Sequence, residues 1–262
     1  MNGFYFIELE IMKLLAQKNK HPRDKNLTFN ETDHIYYYKN EVFKSVTTWI
    51  SSLFEKFNQE EIIEKMMNSK SFMKNELYGK TKEEIEELWM IKNKKAIEEG
   101  VNLHNDIENY LNNETVNNTT IEFVYFQNFL REHLLQIYRT EWAVYDETLK
   151  LAGTIDMCAM NPNGSLSLYD WKRTKSIKKI NYYKKYSTLD TLHYFDDTNF
   201  NHYALQLNLY KYILEKNYKI KVSSMYLVCL HPENKNNDYL MYNVPTMNYE
   251  IEQVLNHIKN NN

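Results

Sequence analysis

The sequence predicts an α/β fold in which helices flank a central mixed β-sheet, preceded by a mostly helical N-terminal extension. Two observations carry this prediction. Residues 81–112 place apolar side chains at helical spacing, and residues 153–172 hold two apolar runs separated by the turn cluster Asn-Pro-Asn-Gly at 161–164. Because such clusters join paired strands, the two runs should form a hairpin. With 262 residues and 43% apolar content, the chain is long enough for one large domain.

Periodicity and turn residues give the elements in chain order. The first part should hold a short β-hairpin near 34–43, followed by helices at 46–67, 82–112 and 121–136. Three strands should follow, at 138–147, 150–160 and 165–173. A basic loop then leads to a helix at 201–217, strands at 221–230 and 239–244, and a last helix. We expect residues 46–80 either to arch over a cleft or to pack against its flank.

The predicted hairpin carries acidic residues at buried positions. Asp156 lies on its first strand, after the small and turn-permissive Gly153, and Asp170 lies on its second strand. Strand alternation directs Asp170 and Lys172 to one face and Trp171 to the other. Asp-x-Lys occurs about once by chance in a chain of this length, but an unpaired carboxylate in buried β-structure is costly. The two carboxylates are therefore candidates for a site that binds Mg²⁺ or Mn²⁺.

The helix predicted upstream adds an imidazole to these candidates. Its apolar stripe comprises Ile85, Leu88, Trp89, Ala96, Ile97, Val101, Ile107 and Leu111. His104 lies on this stripe and Glu108 follows it by one turn, so both side chains can point into one cleft. A histidine on an apolar face is more often a core residue than a metal ligand. The nearby acidic hairpin favours the ligand interpretation.

Basic and aromatic residues are interleaved between the hairpin and the next helix. Residues 171–189 contain no acid; their cations are Lys172, Arg173, Lys175, Lys178, Lys179, Lys184 and Lys185, and their aromatic residues include Tyr182, Tyr183 and Tyr186. Cations for phosphates beside rings for stacking favour a single-stranded nucleic acid, although a solvated loop can have the same composition. On the following helix, a buried Gln206 would need a partner such as a phosphate or a metal-bound water. Tyr210, one turn later, is equally consistent with packing.

Taken in order, these motifs resemble the PD-(D/E)XK nuclease superfamily in its RecB-like branch, and within that branch the mitochondrial genome maintenance exonucleases and their viral and phage relatives. The matching residues are His104 and Glu108 in HNDIE, Glu141 in TEWAVYDE, Asp156 in GTID, Asp170 and Lys172 in DWK, and Gln206 and Tyr210 in QLNLY. This ordered set, spread over roughly residues 95–230, is more specific than any single motif. The chain departs from the family pattern at Ile155, which stands in place of the eponymous proline, and at Asp170, which replaces a glutamate.

The resemblance implies a restriction-endonuclease-like core at residues 81–262, after an extension at residues 1–80. It implies a Mg²⁺ or Mn²⁺ site whose ligands are His104, Asp156, Asp170 and the Trp171 carbonyl, assisted by Glu141 or Glu108. The implied catalytic residues are Lys172, Asp156, Asp170 and Glu141, with Lys172 positioning the attacking water and helping to deprotonate it. The implied nucleic-acid-binding residues are Arg173, Thr174, Lys175, Lys178, Lys179, Tyr182, Tyr183, Gln206 and Tyr210. No iron–sulfur cluster is expected, because relatives that hold one use four cysteines and this chain has only Cys158 and Cys229.

These implications predict a metal-dependent DNA exonuclease that prefers single-stranded DNA with a free end. Two alternatives stay open: an endonuclease acting on structured DNA or on RNA, and a nucleic-acid-binding protein that keeps the fold without cutting. The net charge of −3 argues against a nonspecific nucleic-acid coat, so a basic surface should be local. The stretch at 1–15 contains two glutamates and lacks a cleavage-site pattern, so we expect no signal peptide, no membrane span and an intracellular location.

Overall fold

The computed structural model describes residues 13–30 and 33–261, and its central feature is a mixed sheet of eight strands. In chain order the strands are β1 (Leu27–Asn30), β2 (Ile35–Tyr38), β3 (Glu41–Ser45), β4 (Gln136–Asp146), β5 (Leu151–Met160), β6 (Leu166–Lys172), β7 (Val222–Cys229) and β8 (Leu240–Asn243). Their order in the sheet is β1-β2-β3-β5-β6-β7-β8, and β4 also pairs with β5. The β3–β5 and β6–β7 pairs are parallel and the others are antiparallel. The predicted α/β fold with a mixed central sheet is thus confirmed.

Helices flank this sheet. They are α1 (Leu14–Lys18), α2 (Val46–Ser51), α3 (Gln59–Met67), α4 (Lys82–Leu111), α5 (Ile121–Glu132), α6 (Asn199–Ile213) and α7 (Asn248–Asn260), with 3₁₀ segments at Asp24–Asn26, Phe72–Lys74 and Asp190–Leu192 and a π-helical turn at Leu214–Tyr218. Helix α4 begins at a capping box, in which Thr81 and Glu84 each accept a hydrogen bond from the other's backbone N–H. Helix α5 ends at Glu132 rather than at the predicted residue 136, because Gln136 already pairs with Met160 in the sheet.

The apolar core forms two main clusters. The larger contains Trp49 of α2 and Leu207 of α6, and the smaller contains Phe126 of α5. Trp171 of β6 packs in the smaller cluster, whereas its neighbour Asp170 accepts a hydrogen bond from a side chain of α6. This arrangement confirms the predicted alternation along β6, and the antiparallel β5–β6 pair confirms the predicted hairpin.

The single helix predicted at 46–67 is wrong, because the chain forms two helices there, α2 and α3. Each begins at its own cap: the side chains of Ser45 and Asn58 both accept a hydrogen bond from a backbone N–H of the first turn. Beyond α2, the carbonyl of Leu53 accepts a hydrogen bond of 2.8 Å from the backbone N–H of Thr188. Thus a loop far along the chain contacts the backbone where the predicted helix is interrupted.

Helix α4 does not bury its whole predicted stripe. Ala96, Ile97 and Val101 are exposed. Ile85 packs in a small separate cluster with Ile63 and Phe72, whereas Ile107 packs in the smaller main cluster. With 30 residues α4 is about 45 Å long. It therefore packs at its two ends on two different clusters and leaves its middle in solvent.

Residues 27–54 contribute to the larger main cluster, although the predicted domain boundary falls at residue 80. That boundary stays a prediction. The prediction of no signal peptide and no membrane span concerns residues 1–15, and residues 1–12 of this stretch lie outside the described residues. Within residues 13–30 and 33–261, no helix combines the length and the apolar content needed to cross a membrane.

Candidate metal centre and active site

The β5–β6 hairpin brings its two aspartates together. They flank the Met157–Tyr169 pair of the ladder, and the side chains of Asp156 and Asp170 are buried, at 8% and 1% exposure. One carboxylate is fixed by the backbone, because the N–H of Trp171 donates a hydrogen bond of 2.7 Å to Asp156 Oδ2. The hairpin register therefore holds two carboxylates in adjacent buried positions.

Helix α4 and strand β4 complete a group of three potential ligands. The ligand atoms of His104, Glu141 and Asp156 all lie within 4.8 Å of one another. His104 Nδ1 is 3.5 Å from Glu141 Oε1 and 3.7 Å from Asp156 Oδ2. On the other side of the ring, Nε2 is 3.2 Å from the Trp171 carbonyl oxygen. An imidazole, two carboxylates and a nearby carbonyl form a donor set that could bind a metal ion.

The pKa values of these side chains reflect their burial and the negative charges of the carboxylates. Burial raises the pKa of Asp156 above its usual range and raises that of Asp170 to about 6. Burial lowers the pKa of His104, but the carboxylates of Asp156 and Glu141 outweigh it and raise that pKa to about 9. The imidazole is therefore protonated at neutral pH. Because a metal ligand must be deprotonated, a cation that binds here displaces this proton.

Lys172 pairs with the second aspartate. Its Nζ is 2.7 Å from Asp170 Oδ2 and 4.6 Å from the ring centre of Tyr203 on α6. Burial lowers the pKa of Lys172, but the charges of Asp170 and Asp156 raise it further than burial lowers it. The ammonium is thus held in its charged form and acts as a hydrogen-bond donor.

Gln206 and Tyr210 lie behind the aspartate instead of facing solvent. Gln206 Nε2 donates to Asp170 Oδ1 at 3.2 Å and to the hydroxyl of Tyr210 at 3.4 Å, and both residues are buried. Gly153 lies inside β5, within the strand predicted at 150–160. A Cβ at Gly153 would lie only 2.7 Å from Tyr210 Cε1, so glycine is what lets α6 approach the strand.

Glu141 has a backbone conformation that the sequence does not reveal. Its φ is +40°, a left-handed value, in the middle of β4. It lies between the ladder pairs Thr140–Met157 and Trp142–Ile155, directly across from Asp156. Residues other than glycine rarely adopt such values, and those that do concentrate at functional sites. Of the two predicted assisting acids, Glu141 belongs to the group of three described above, and Glu108 on α4 does not.

The basic segment between β6 and α6 divides into paired and exposed cations. Arg173 Nε lies 2.8 Å from Glu122 Oε1 on α5, and its Nη2 lies 2.9 Å from Glu99 Oε2 on α4. Lys175 pairs with Glu233, and Thr174 Oγ1 is 3.5 Å from a carbonyl oxygen in the same segment. Arg173 thus ties two helices to the sheet.

Farther along, the same segment is open to solvent. Tyr182 and Tyr183 are 87% and 89% exposed. The side chain of Lys178 is exposed, and Lys179 Nζ lies 4.7 Å from the ring centre of Phe200 at the start of α6. The structure therefore separates these predicted nucleic-acid contacts from Gln206 and Tyr210, which are buried, and from Arg173.

Comparisons with family models and with curated proteins find no match for this chain. The chain's two cysteines, Cys158 and Cys229, are buried and free, and two residues do not form a four-cysteine set. Sequence reasoning missed Tyr203 as the ring beside Lys172, since its helical spacing indicates only packing.

Replacing Gly153 tests the contact between α6 and β5. Gly153→Ala should lower the free energy of unfolding by about 1–3 kcal/mol, because the new methyl overlaps the Tyr210 ring. Gly100→Ala on α4 is the matched control: its Cβ would meet nothing within 4 Å, and it should stabilise the protein by about 0.5–1 kcal/mol. Chemical denaturation measures both. A Gly153→Ala protein as stable as wild type would show that Tyr210 is not seated against β5.

Arg173 tests the division of the basic segment. Arg173→Ala should lower the free energy of unfolding by about 1–3 kcal/mol, because it leaves the buried Glu122 without its partner. Lys178→Ala, at an exposed side chain, should change stability by less than about 0.5 kcal/mol. Thermal and chemical denaturation compare the two. Equal stability of both variants would argue against a structural role for Arg173.

Proposed function

We propose that this protein is a metal-dependent nuclease that hydrolyses phosphodiester bonds and has the restriction-endonuclease-like core of RecB-like PD-(D/E)XK enzymes. The observation that carries the proposal is the convergence of His104, Glu141 and Asp156 beside the Asp170–Lys172 ion pair. The order of elements supports it: the core of the superfamily is a helix, three strands, a helix and another strand, and α5, β4 to β6, α6 and β7 follow one another in that succession. Charges buried in a sheet are costly, so their convergence at one place favours a functional site.

The donor set suits Mg²⁺ or Mn²⁺. His104, Asp156, Asp170 and the Trp171 carbonyl would hold the ion, and Glu141, which lies with His104 and Asp156 in the group of three, would assist them. Carboxylate and carbonyl oxygens are preferred by both ions, whereas the imidazole favours Mn²⁺. When bound, such an ion polarises the scissile phosphate and lowers the pKa of a coordinated water.

Lys172 acts in this proposal as a fixed positive charge. Asp170 orients its ammonium, and Gln206 orients Asp170 from behind. Because the two aspartates keep Lys172 protonated, it donates hydrogen bonds to the attacking water or to a phosphate oxygen. Its part in positioning the water belongs to the proposal, and its predicted part in deprotonating that water stays a prediction.

Single-stranded DNA with a free end is the proposed substrate. The exposed rings of Tyr182 and Tyr183, with exposed lysines nearby in the chain, provide stacking surfaces and phosphate contacts that do not require a duplex. Arg173 is left out of this surface, since it is engaged by Glu99 and Glu122. Ile63 and Phe72 pack with Ile85 at the start of α4, and the placement of residues 46–80 over the cleft or on its flank stays a prediction.

Cleavage assays on purified protein test the function. Linear single-stranded DNA should be degraded with Mg²⁺ or Mn²⁺ and left intact with EDTA, while circular single strands, duplex DNA and RNA should be cut far more slowly. Asp156→Asn should abolish cleavage, because it removes the charge at the centre of the donor set. Intact substrates in all wild-type reactions would contradict the proposal. Efficient cutting of circles or of RNA would instead support the endonuclease alternative.

Lys172→Ala tests whether the lysine acts in cleavage without being required for metal binding. The variant is measured in the same cleavage assay. It should bind Mn²⁺ with near wild-type affinity and turn over about 10²–10³-fold more slowly, since a fixed donor is removed from the reaction centre. Lys259→Ala on α7 is the control, because its side chain is exposed and lies outside both the group of ligands and the basic segment. Loss of Mn²⁺ binding in Lys172→Ala would make the lysine a structural residue.

Two tyrosines test the proposed strand-binding surface. Tyr182→Ala and Tyr183→Ala should each weaken binding of single-stranded DNA by about 1–3 kcal/mol, the size of one lost stack, and should leave duplex binding unchanged. Tyr249→Ala, another exposed tyrosine but on α7, is the control and should have no effect. Fluorescence anisotropy with Asp156→Asn as background avoids cleavage. Unchanged affinity in both variants would move the binding surface elsewhere.

A further inference from the structure

The N-terminal hairpin reaches the strand that carries the metal site. Strand β3 pairs in parallel with the start of β5, through Lys44–Leu151 and Ser45–Ala152. From the next strand, β2, the hydroxyl of Tyr36 lies 2.9 Å from Thr154 Oγ1. Thr154 precedes Asp156 by two residues in β5. A segment that lies outside the family resemblance thus touches the strand beside the proposed ligands.

The surroundings of Tyr36 connect it with the same acidic group. Its side chain is buried, at 5% exposure. Burial raises its pKa to about 12, and the negative charges of Glu141 and Asp156 add to this effect. The phenol is therefore neutral, and its hydroxyl remains a hydrogen-bonding group within the field of both carboxylates.

Thr154 pairs with strand β4 close to Glu141, so fixing Thr154 affects the backbone that carries this candidate ligand. Glu141 is held at φ +40°, and a conformation of this kind persists only when its neighbours hold it. On one side, Thr140 accepts a buried hydrogen bond of 2.9 Å from Asn112 Nδ2, at the end of α4. On the other side, Ala143 pairs with Thr154, which Tyr36 holds. The strained residue is thus flanked by two points that other elements fix.

We propose that Tyr36 is a positioning residue of the metal site, which acts through Thr154 to keep Glu141 directed at the ion. The inference rests on the proposed metal-dependent function. It adds a requirement that lies outside the motifs: the N-terminal hairpin sets the affinity of the site for its cation. Tyr36 touches neither substrate nor metal in this role.

Calorimetric titration with Mn²⁺ alone, together with cleavage at saturating Mn²⁺, tests this role. Tyr36→Phe removes only the hydroxyl, and it should weaken Mn²⁺ binding about 3- to 10-fold and lower kcat with little change in KM. Thr154→Val should have the same effect, and the double variant should be no worse than either single one, since both remove one hydrogen bond. Thr154→Ser keeps the hydroxyl and should restore binding. Tyr37→Phe, on the same strand, is the matched control.

The outcomes separate this inference from the proposed function. Wild-type Mn²⁺ affinity and kcat in Tyr36→Phe would overturn the positioning role and leave the nuclease proposal standing. A lower melting temperature with unchanged Mn²⁺ affinity would likewise reduce Tyr36 to a packing residue. Should Tyr36→Phe fail to fold, Thr154→Val and Thr154→Ser give the same comparison. A wild-type protein that binds no Mn²⁺ would overturn both.

Discussion

Asp156 and Asp170 are buried on neighbouring strands, and two carboxylates in such positions cost free energy unless each is bonded and compensated. Each carboxylate has such a partner. The backbone N–H of Trp171 bonds Asp156, and the ammonium of Lys172 pairs with Asp170. A protonated His104 offsets part of what remains. A divalent cation would offset more, which is why this charge balance favours a metal site over a purely structural cluster.

The same requirement explains the contacts that place α4 against the sheet. His104 compensates the acidic group only if its helix stays in place, and α4 is exposed over its middle. Arg173 holds it near one end of the buried part through Glu99, and Asn112 holds its C-terminal end through Thr140. Arg173, which was predicted to contact nucleic acid, thus helps to hold the helix that carries His104. The proposed function therefore assigns the phosphate contacts to the exposed lysines farther along the segment.

Local patterns predict a large part of this arrangement, and the parts they miss depend on distant contacts. The turn cluster and strand alternation predicted the hairpin and the opposite directions of Asp170 and Trp171, and the structure confirms both. The close approach at Gly153 was not predicted, because the ring that excludes a Cβ belongs to Tyr210, far along the chain. The left-handed φ of Glu141, which lies between two ladder pairs of β4 with β5, has no sequence pattern that predicts it.

The parallel pairing of β3 with β5 carries a further consequence for the site. Parallel strands need a crossover connection, and the connection between β3 and β5 comprises α2 through α5 and β4. The hairpin that bears Tyr36 is therefore bonded to Thr154 of β5, more than a hundred residues away in the chain. Each motif that carries a candidate ligand, in contrast, lies within a short segment. The candidate ligands are thus defined by local motifs, whereas their geometry depends on sheet pairing across more than a hundred residues.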